Sequence, residues 1–430
     1  MGGILKAAIY SLGCKVNIYE SEYVENLLKK SGYQIVSFDS DDADVYIINT
    51  CSVTNEADRK SRKIINRAKK HNAIVVAMGC YTQVNPDSVS CDIVIGNKDK
   101  SRIVELINQV LDKKMPIKNI YDLRSDTGFE DMEITKFDNH TRAFVKIQDG
   151  CNAFCSYCII PYTRGKIRSK NPDDVVEEVK GLVHNGYKEI VLTGIHTGKY
   201  GLDLKNTNLE DLLRRLIRIR GLYRIRLSSI EINEVTDGII ELFKTSNILA
   251  SHLHIPIQSG CSRILKLMNR CYDVDYFCKR IEEIKQIRSD MSITTDLIVG
   301  FPGESEKDFE ETLKTLEKIQ FTKIHVFPYS KRNNTKASMM KEQIDGKIKK
   351  ERVRRVLGRS NNWEREYYKK FIGYELEGVS EHLKNGSVIV HTSNFIPVNV
   401  DSNISNNCIT KVKITSVNED GMVYGDIIVK

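Results

Sequence analysis

Three cysteines within eight residues, Cys151-Asn152-Ala153-Phe154-Cys155-Ser156-Tyr157-Cys158, constrain this chain more than any other feature. A loop that short must curl so that three sulfurs face one point. The apolar run at 143–147 immediately before it reads as a strand, so the loop is delivered at a strand's carboxyl end. Three thiolates so spaced can hold three corners of a cubane iron–sulfur cluster and leave the fourth iron without a protein ligand. Zinc is the competing reading, but it usually takes four protein ligands and no nearby histidine completes the set. Eleven cysteines in 430 residues, an odd number with no small secreted frame to staple, favour metal-binding or reactive thiols over disulfides.

After that loop, strand-like runs recur at 189–193, 224–228, 253–257, 293–299 and 323–327, with amphipathic stretches between them. Asn171-Pro172-Asp173-Asp174 reads as a helix start, and Ser305 with Asp308 as a capping box. Six such units predict a partial (β/α)6, TIM-like barrel over 140–365, with its chemistry at the carboxyl ends of the strands. Ahead of it, short apolar runs at 7–10, 45–48, 74–77 and 93–95 alternate with helical patterns and predict a small parallel sheet over 1–115. The polar stretch 113–139 reads as a linker. From 371 to 430 the runs are short and β-branched, with a turn at Asn418-Glu419-Asp420-Gly421, which predicts a small all-β barrel of OB type. The fold class is therefore α/β with an all-β carboxyl-terminal appendage.

A second cysteine constellation is dispersed. Cys14, Cys51 and Cys80 each follow a predicted strand, in Leu12-Gly13-Cys14, Asn49-Thr50-Cys51 and Met78-Gly79-Cys80, at spacings of one strand–helix–strand unit. Neighbouring parallel strands would bring the three sulfurs to one sheet edge, and glycines beside two of them would let the backbone approach a bulky ligand. One cysteine at a strand end is ordinarily a small core residue; three in register point to a second cluster. Cys91, Cys261, Cys271, Cys278 and Cys408 show no ligand spacing.

The charge is uneven. Residues 331–370 carry 14 basic and 5 acidic side chains, whereas 371–430 carry 4 and 7. The basic segment is the expected phosphate-facing surface, with Trp363, Tyr367 and Tyr368 for stacking or for packing on the barrel. Arg164, Lys166, Arg168 and Lys170, at near-alternate positions, form a second candidate phosphate track. His252 and His254 read as hydrogen-bonded pocket histidines in preference to a metal pair. No apolar run approaches the roughly 18 residues of a membrane span, and the first residues lack a charged segment followed by an apolar core, so a cytoplasmic setting without membrane association is expected.

The Cys151, Cys155, Cys158 spacing after a first barrel strand resembles the radical S-adenosylmethionine superfamily. That resemblance implies an open iron chelating the amino and carboxylate groups of S-adenosyl-L-methionine, whose cleavage gives a 5′-deoxyadenosyl radical. It also implies that Tyr157 lies along the adenine, that Thr193 and Gly194 sit near the methionine amino group, and that Gln258 lines the cofactor pocket. With the second trio, the chain resembles the radical SAM methylthiotransferases nearly from end to end, which implies two 4Fe-4S clusters and a carboxyl-terminal TRAM domain that binds RNA. Gly13-Cys14-Lys15-Val16-Asn17, Asn49-Thr50-Cys51-Ser52-Val53-Thr54 and Thr193-Gly194-Ile195-His196-Thr197-Gly198 are similar to the branch that modifies C2 of N6-threonylcarbamoyladenosine at tRNA position 37. Expected partners are the tRNA anticodon stem-loop and an electron donor such as flavodoxin or ferredoxin; the oligomeric state stays open. The alternatives are the same reaction on N6-isopentenyladenosine and a non-catalytic iron–sulfur protein that binds RNA and carries electrons.

Overall fold

In the first part of the chain, apolar runs too short for helices alternate with amphipathic stretches, and the chain settles into strand–helix–strand units. The structure, a computed structural model, describes residues 4–125, 128–137, 140–383 and 386–428. Strands β1 (Lys6–Ser11), β2 (Gln34–Val36), β3 (Val45–Thr50), β4 (Ile74–Gly79), β5 (Ile93–Ile95) and β6 (Ile117–Asn119) form one parallel sheet in the order β2-β1-β3-β4-β5-β6. β3 is buried at every position, as a central strand covered on both faces must be. The strand order reverses between β1 and β3, where doubly wound sheets bind ligands beyond the carboxyl ends. β2 and β6 were not foreseen, because three-residue edge strands give too little periodicity to read.

β6 also lies inside the stretch expected to be a linker. That stretch is no tether: Met132, Ile134 and Phe137 are buried in the core of the second body. There, β7 (Ala143–Lys146) leads into the cysteine loop, flanked by the short antiparallel pair β8 (Gln148–Asp149) and β9 (Arg168–Ser169). Strands β10 (Glu189–Thr193), β11 (Arg224–Leu227), β12 (His252–His254), β13 (Ser292–Val299) and β14 (Lys323–Pro328) complete a parallel set. Its order is β7-β10-β11-β12-β13-β14, with single bridges Ile225–Leu249 and Ser229–His254 joining its halves. All six expected strands form. The helices between them start as read: Asn171 accepts from the Asp173 N–H, and Ser305 and Asp308 form a capping box.

No pairing joins β7 to β14 among the described residues, and the amino-terminal body spans that open side. The helix Lys15–Lys30 packs on β7 and buries Tyr19 in the barrel core. At the other edge Arg332, just after β14, donates to Ser52 Oγ at 3.0 Å and to Asp58 Oδ2 at 2.5 Å. The carboxyl-terminal strands β15 (Glu375–His382), β16 (Val388–Thr392), β17 (Pro397–Val400), β18 (Ile409–Val417) and β19 (Val423–Ile427) close a barrel in the order β15-β16-β17-β19-β18. It docks on β11: Arg224 donates to His391 O and Glu377 O, and Arg226 to Thr392 O and Ser393 O. No helix among the described residues is long and apolar enough to cross a membrane.

Candidate active site

The cysteine loop of 151–158 is fixed by its own backbone. Cys151 N–H donates to Gly165 O at 3.0 Å, Cys158 N–H to Cys155 O at 2.9 Å, and Ser156 N–H to Met268 O at 3.0 Å. Burial first, and then the neighbouring Cys155 and Cys151 sulfurs, push the Cys158 thiol up to about 12, so the three lie close enough to oppose one another's ionisation. Two cationic side chains meet this loop. Arg270 Nη1 donates to Cys155 Sγ at 3.3 Å, and His196 Nδ1 lies 3.3 Å from Cys151 Sγ while its Nε2 faces Glu234 at 2.7 Å. Burial would lower the His196 pKa, but the Cys151 sulfur and the Glu234 carboxylate hold it up at about 9, so the ring is protonated at neutral pH.

At the carboxyl end of the amino-terminal sheet, Cys14, Cys51 and Cys80 form a second group. Burial and then the Cys80 sulfur push the Cys51 thiol up to about 12, with Cys14 acting in the same direction. Gly13 and Gly79 have φ of +98° and +104°, and a Cβ on Gly13 would stand 2.8 Å from Cys51 Sγ. On Gly79 it would meet Asn49 Oδ1 at 2.6 Å and Thr50 O at 2.7 Å. The glycines therefore let strand ends close on each other, where a close approach to a ligand had been expected. Asn97 Nδ2 donates to Cys80 Sγ at 3.5 Å.

A cavity of about 210 Å³ reaches one of the six cysteines, Cys158. Tyr157, Cys158 and Gln258 line it from the barrel side, and Val53 and Thr54, which follow Cys51, line it from the other. Gln258 is held there at φ +63° by its N–H bond to Asp296 O. Thr193 and Gly194 do not line it: Thr193 is buried under Ile147, whose N–H it accepts, and Gly194 packs on Gln148. His252 and His254 share Thr294 Oγ1 at 3.1 and 2.9 Å, as pocket histidines do. Burial, then the Arg226 charge, keep His252 well below the usual imidazole range, and Lys15 contributes to that field. Desolvation and then the Arg142 and Arg226 charges hold the Lys15 ammonium down to about 8.

Residues 145–316 match the radical SAM superfamily, and residues 6–96 match the family described as uncharacterized protein family UPF0004. The chain is 41% identical over 403 residues to the threonylcarbamoyladenosine tRNA methylthiotransferase MtaB of Bacillus subtilis, covering 91% of this chain and 89% of that one. The chain belongs to the radical SAM tRNA methylthiotransferase family. It is also 36% identical over 362 residues to a tRNA-2-methylthio-N(6)-dimethylallyladenosine synthase of Clostridium botulinum, covering 81% and 80%. In fold, the methylthiotransferase resembles the radical S-adenosylmethionine methyltransferase TsrM of Kitasatospora setae, at a TM-score of 0.58 and 12% identity, covering 78% and 74%.

The donor chemistry suits the groups this family implies. Both trios offer only thiols, the ligands that select iron–sulfur clusters. Among the described residues no three His, Cys, Asp or Glu side chains stand close enough to share a single metal ion. Sequence reasoning missed His196 and Arg270 as partners of the cysteine sulfurs; His196 lies in a quoted motif, whereas nothing in the sequence marks Arg270. It also misread one charge run. Arg164, Arg168 and Lys170 are buried, and only Lys166 of the four is exposed, so no phosphate track exists there. In the basic segment Arg332 and Arg352 are buried in ion pairs with Asp58 and Glu304, while Lys331, Lys336, Lys341, Lys347 and Lys350 stay exposed. Trp363, Tyr367 and Tyr368 pack on protein, and so are not open for stacking.

Proposed function

We propose that this methylthiotransferase replaces the C2 hydrogen of N6-threonylcarbamoyladenosine at tRNA position 37 with a methylthio group, consuming two molecules of S-adenosyl-L-methionine and using two 4Fe-4S clusters. Cys14, Cys51 and Cys80 would hold one cluster, and Cys151, Cys155 and Cys158 the other. The observation that carries this reading is the cavity walled by Cys158 on one side and by the residues following Cys51 on the other. Adenine C2–H is neither acidic nor attached to a leaving group, so proton transfer alone gives no entry to it. When bound, the clusters supply the electron that cleaves S-adenosylmethionine and the sulfur that is transferred.

The chain's own residues do the rest. Ile159, Ile298 and Phe327 give the cavity apolar walls that limit water, and Tyr157 and Gln258 offer a ring and an amide to an adenosyl group. The target base has to leave its stack to enter, as in other enzymes that act on a base. The threonylcarbamoyl group is favoured over the isopentenyl group by similarity, since the chain is 41% identical to the MtaB of Bacillus subtilis and 36% to the dimethylallyladenosine synthase of Clostridium botulinum. The exposed lysines of 331–350 would meet the anticodon stem-loop, and a cytoplasmic flavodoxin or ferredoxin would supply electrons.

Mass spectrometry of digested tRNA from a strain lacking this chain tests reaction and substrate together. The expected result is loss of the methylthio form of threonylcarbamoyladenosine with the isopentenyl nucleosides unchanged. Loss confined to the isopentenyl series would reverse the substrate reading, and no 5′-deoxyadenosine from reconstituted protein with dithionite and S-adenosylmethionine would remove the reaction.

A further inference from the structure

One buried side chain ties the two cysteine trios together. Arg164 ends the short helix Ile160–Arg164, which begins two residues after Cys158, and it has no exposed surface. Its Nη2 donates to Asn17 Oδ1 at 2.7 Å, and its Nη1 donates to Glu20 Oε1 at 2.8 Å and lies 3.2 Å from both oxygens of Asp149. Two of the three acceptors, Asn17 and Asp149, lead to cysteines. Asn17 Nδ2 donates to Leu12 O at 2.6 Å and to Thr50 O at 3.0 Å, the carbonyls just ahead of Gly13-Cys14 and of Cys51. Asp149 stands two residues before Cys151. A parallel tie runs beside it, where Asn97 Nδ2 donates to Thr163 O at 2.9 Å as well as to Cys80 Sγ.

The charges around this fork do not cancel. Among the described residues, Arg164, Lys100 and Lys146 face two carboxylates, Glu20 and Asp149, and all five groups are buried. A buried cationic surplus is costly unless negative charge lies nearby. A thiolate-held cluster at the Cys14, Cys51, Cys80 site, which Asn17 links to Arg164, would provide that charge.

Resting on the two-cluster reading above, we infer that Arg164 is a positioning residue: it fixes the Cys14, Cys51, Cys80 site in distance and orientation to the Cys151, Cys155, Cys158 site and holds positive charge against the former. The guanidinium does both because it is planar and forked; a lysine keeps the charge but reaches only one acceptor set.

Full-length wild type, Arg164→Gln and Arg164→Lys, reconstituted without oxygen, separate these roles. Iron per chain, 5′-deoxyadenosine formed, and methylthio product per 5′-deoxyadenosine are measured on RNA containing threonylcarbamoyladenosine. The midpoint potential of the amino-terminal cluster is read by EPR-monitored titration of each form in a Cys151, Cys155, Cys158 to alanine background. Both variants should keep wild-type iron and 5′-deoxyadenosine formation, while product per 5′-deoxyadenosine falls by roughly tenfold to 100-fold. The potential should drop in Arg164→Gln and stay near wild type in Arg164→Lys. Unchanged product ratio in both variants, or unchanged potential in Arg164→Gln, overturns the inference. Wild-type protein that takes up iron for one cluster only overturns the two-cluster reading instead.

Discussion

Gly13 shows how much a single residue decides here. At φ +98°, with Cys51 Sγ 2.8 Å from where a Cβ would stand, only glycine lets the Cys14 loop close on β3. Gly13→Ala should cost about 1–3 kcal/mol in backbone strain alone and displace one thiol. Its reconstituted iron should fall toward half that of wild type while 5′-deoxyadenosine formation persists; full iron loading would show that the loop tolerates the methyl. Lys15, the next residue but one, follows Cys14 directly and carries an ammonium that burial, and then Arg142 and Arg226, hold down to about 8. Lys15→Met should lower kcat/KM on threonylcarbamoyladenosine RNA by roughly tenfold to 100-fold, the worth of a charged hydrogen bond. An unchanged kcat/KM would remove Lys15 from substrate recognition. The cysteines at 151, 155 and 158 were legible because their spacing is local. The burial of Arg164 was not, since an alternating basic run has the same sequence pattern whether it faces water or fills an interface.

At the scale of elements, β10 and β11 carry the joint between the two barrels. Glu189 accepts from Arg226 Nε at 2.9 Å and from Arg224 Nη1 at 3.2 Å, and those arginines grip the carboxyl-terminal barrel. Burial would raise the Glu189 carboxyl, but Arg226 and then Arg224 hold it down to about 2 from an ordinary 4.5. Because the folded value is the lower one, the stabilisation is complete above about 4.5 and is lost as pH falls toward about 2. Glu189→Gln should therefore destabilise the protein by about 3 kcal/mol at pH 7. That gap, followed by denaturant titration, should narrow as pH drops below 4.5; a gap independent of pH would mean that the charge at Glu189 is not what stabilises the joint. The six barrel strands were readable from apolar runs bounded by helix starts such as Asn171 and Ser305. Edge strands β2 and β6 were not, because they are fixed by pairing with β1 and β5 and carry little pattern of their own.

For the whole molecule, the two cysteine trios belong to different bodies, and one cavity is lined by residues of both bodies. Replacing Cys14, Cys51 and Cys80 together by alanine should leave about four of about eight iron atoms per chain, preserve 5′-deoxyadenosine formation and abolish methylthio transfer. Iron content by colorimetric assay, read beside nucleoside analysis, checks both halves; retention of the full iron would place the second cluster elsewhere. The acidic balance of 371–430 makes sense in the same frame, since that barrel spends its backbone carbonyls on Arg224 and Arg226 and leaves exposed cations to the preceding segment.

The sequence by itself made legible the α/β class, the parallel amino-terminal sheet and the strands of the radical SAM barrel. Those follow from spacing and periodicity, which are properties of neighbouring residues. The cavity beside Cys158, the burial of Arg164 and the sulfur contacts of His196 and Arg270 were decided only in three dimensions. They join residues as far apart as Asn17 and Arg164, and buried charges are placed by which partners the fold delivers, a matter on which local sequence is silent.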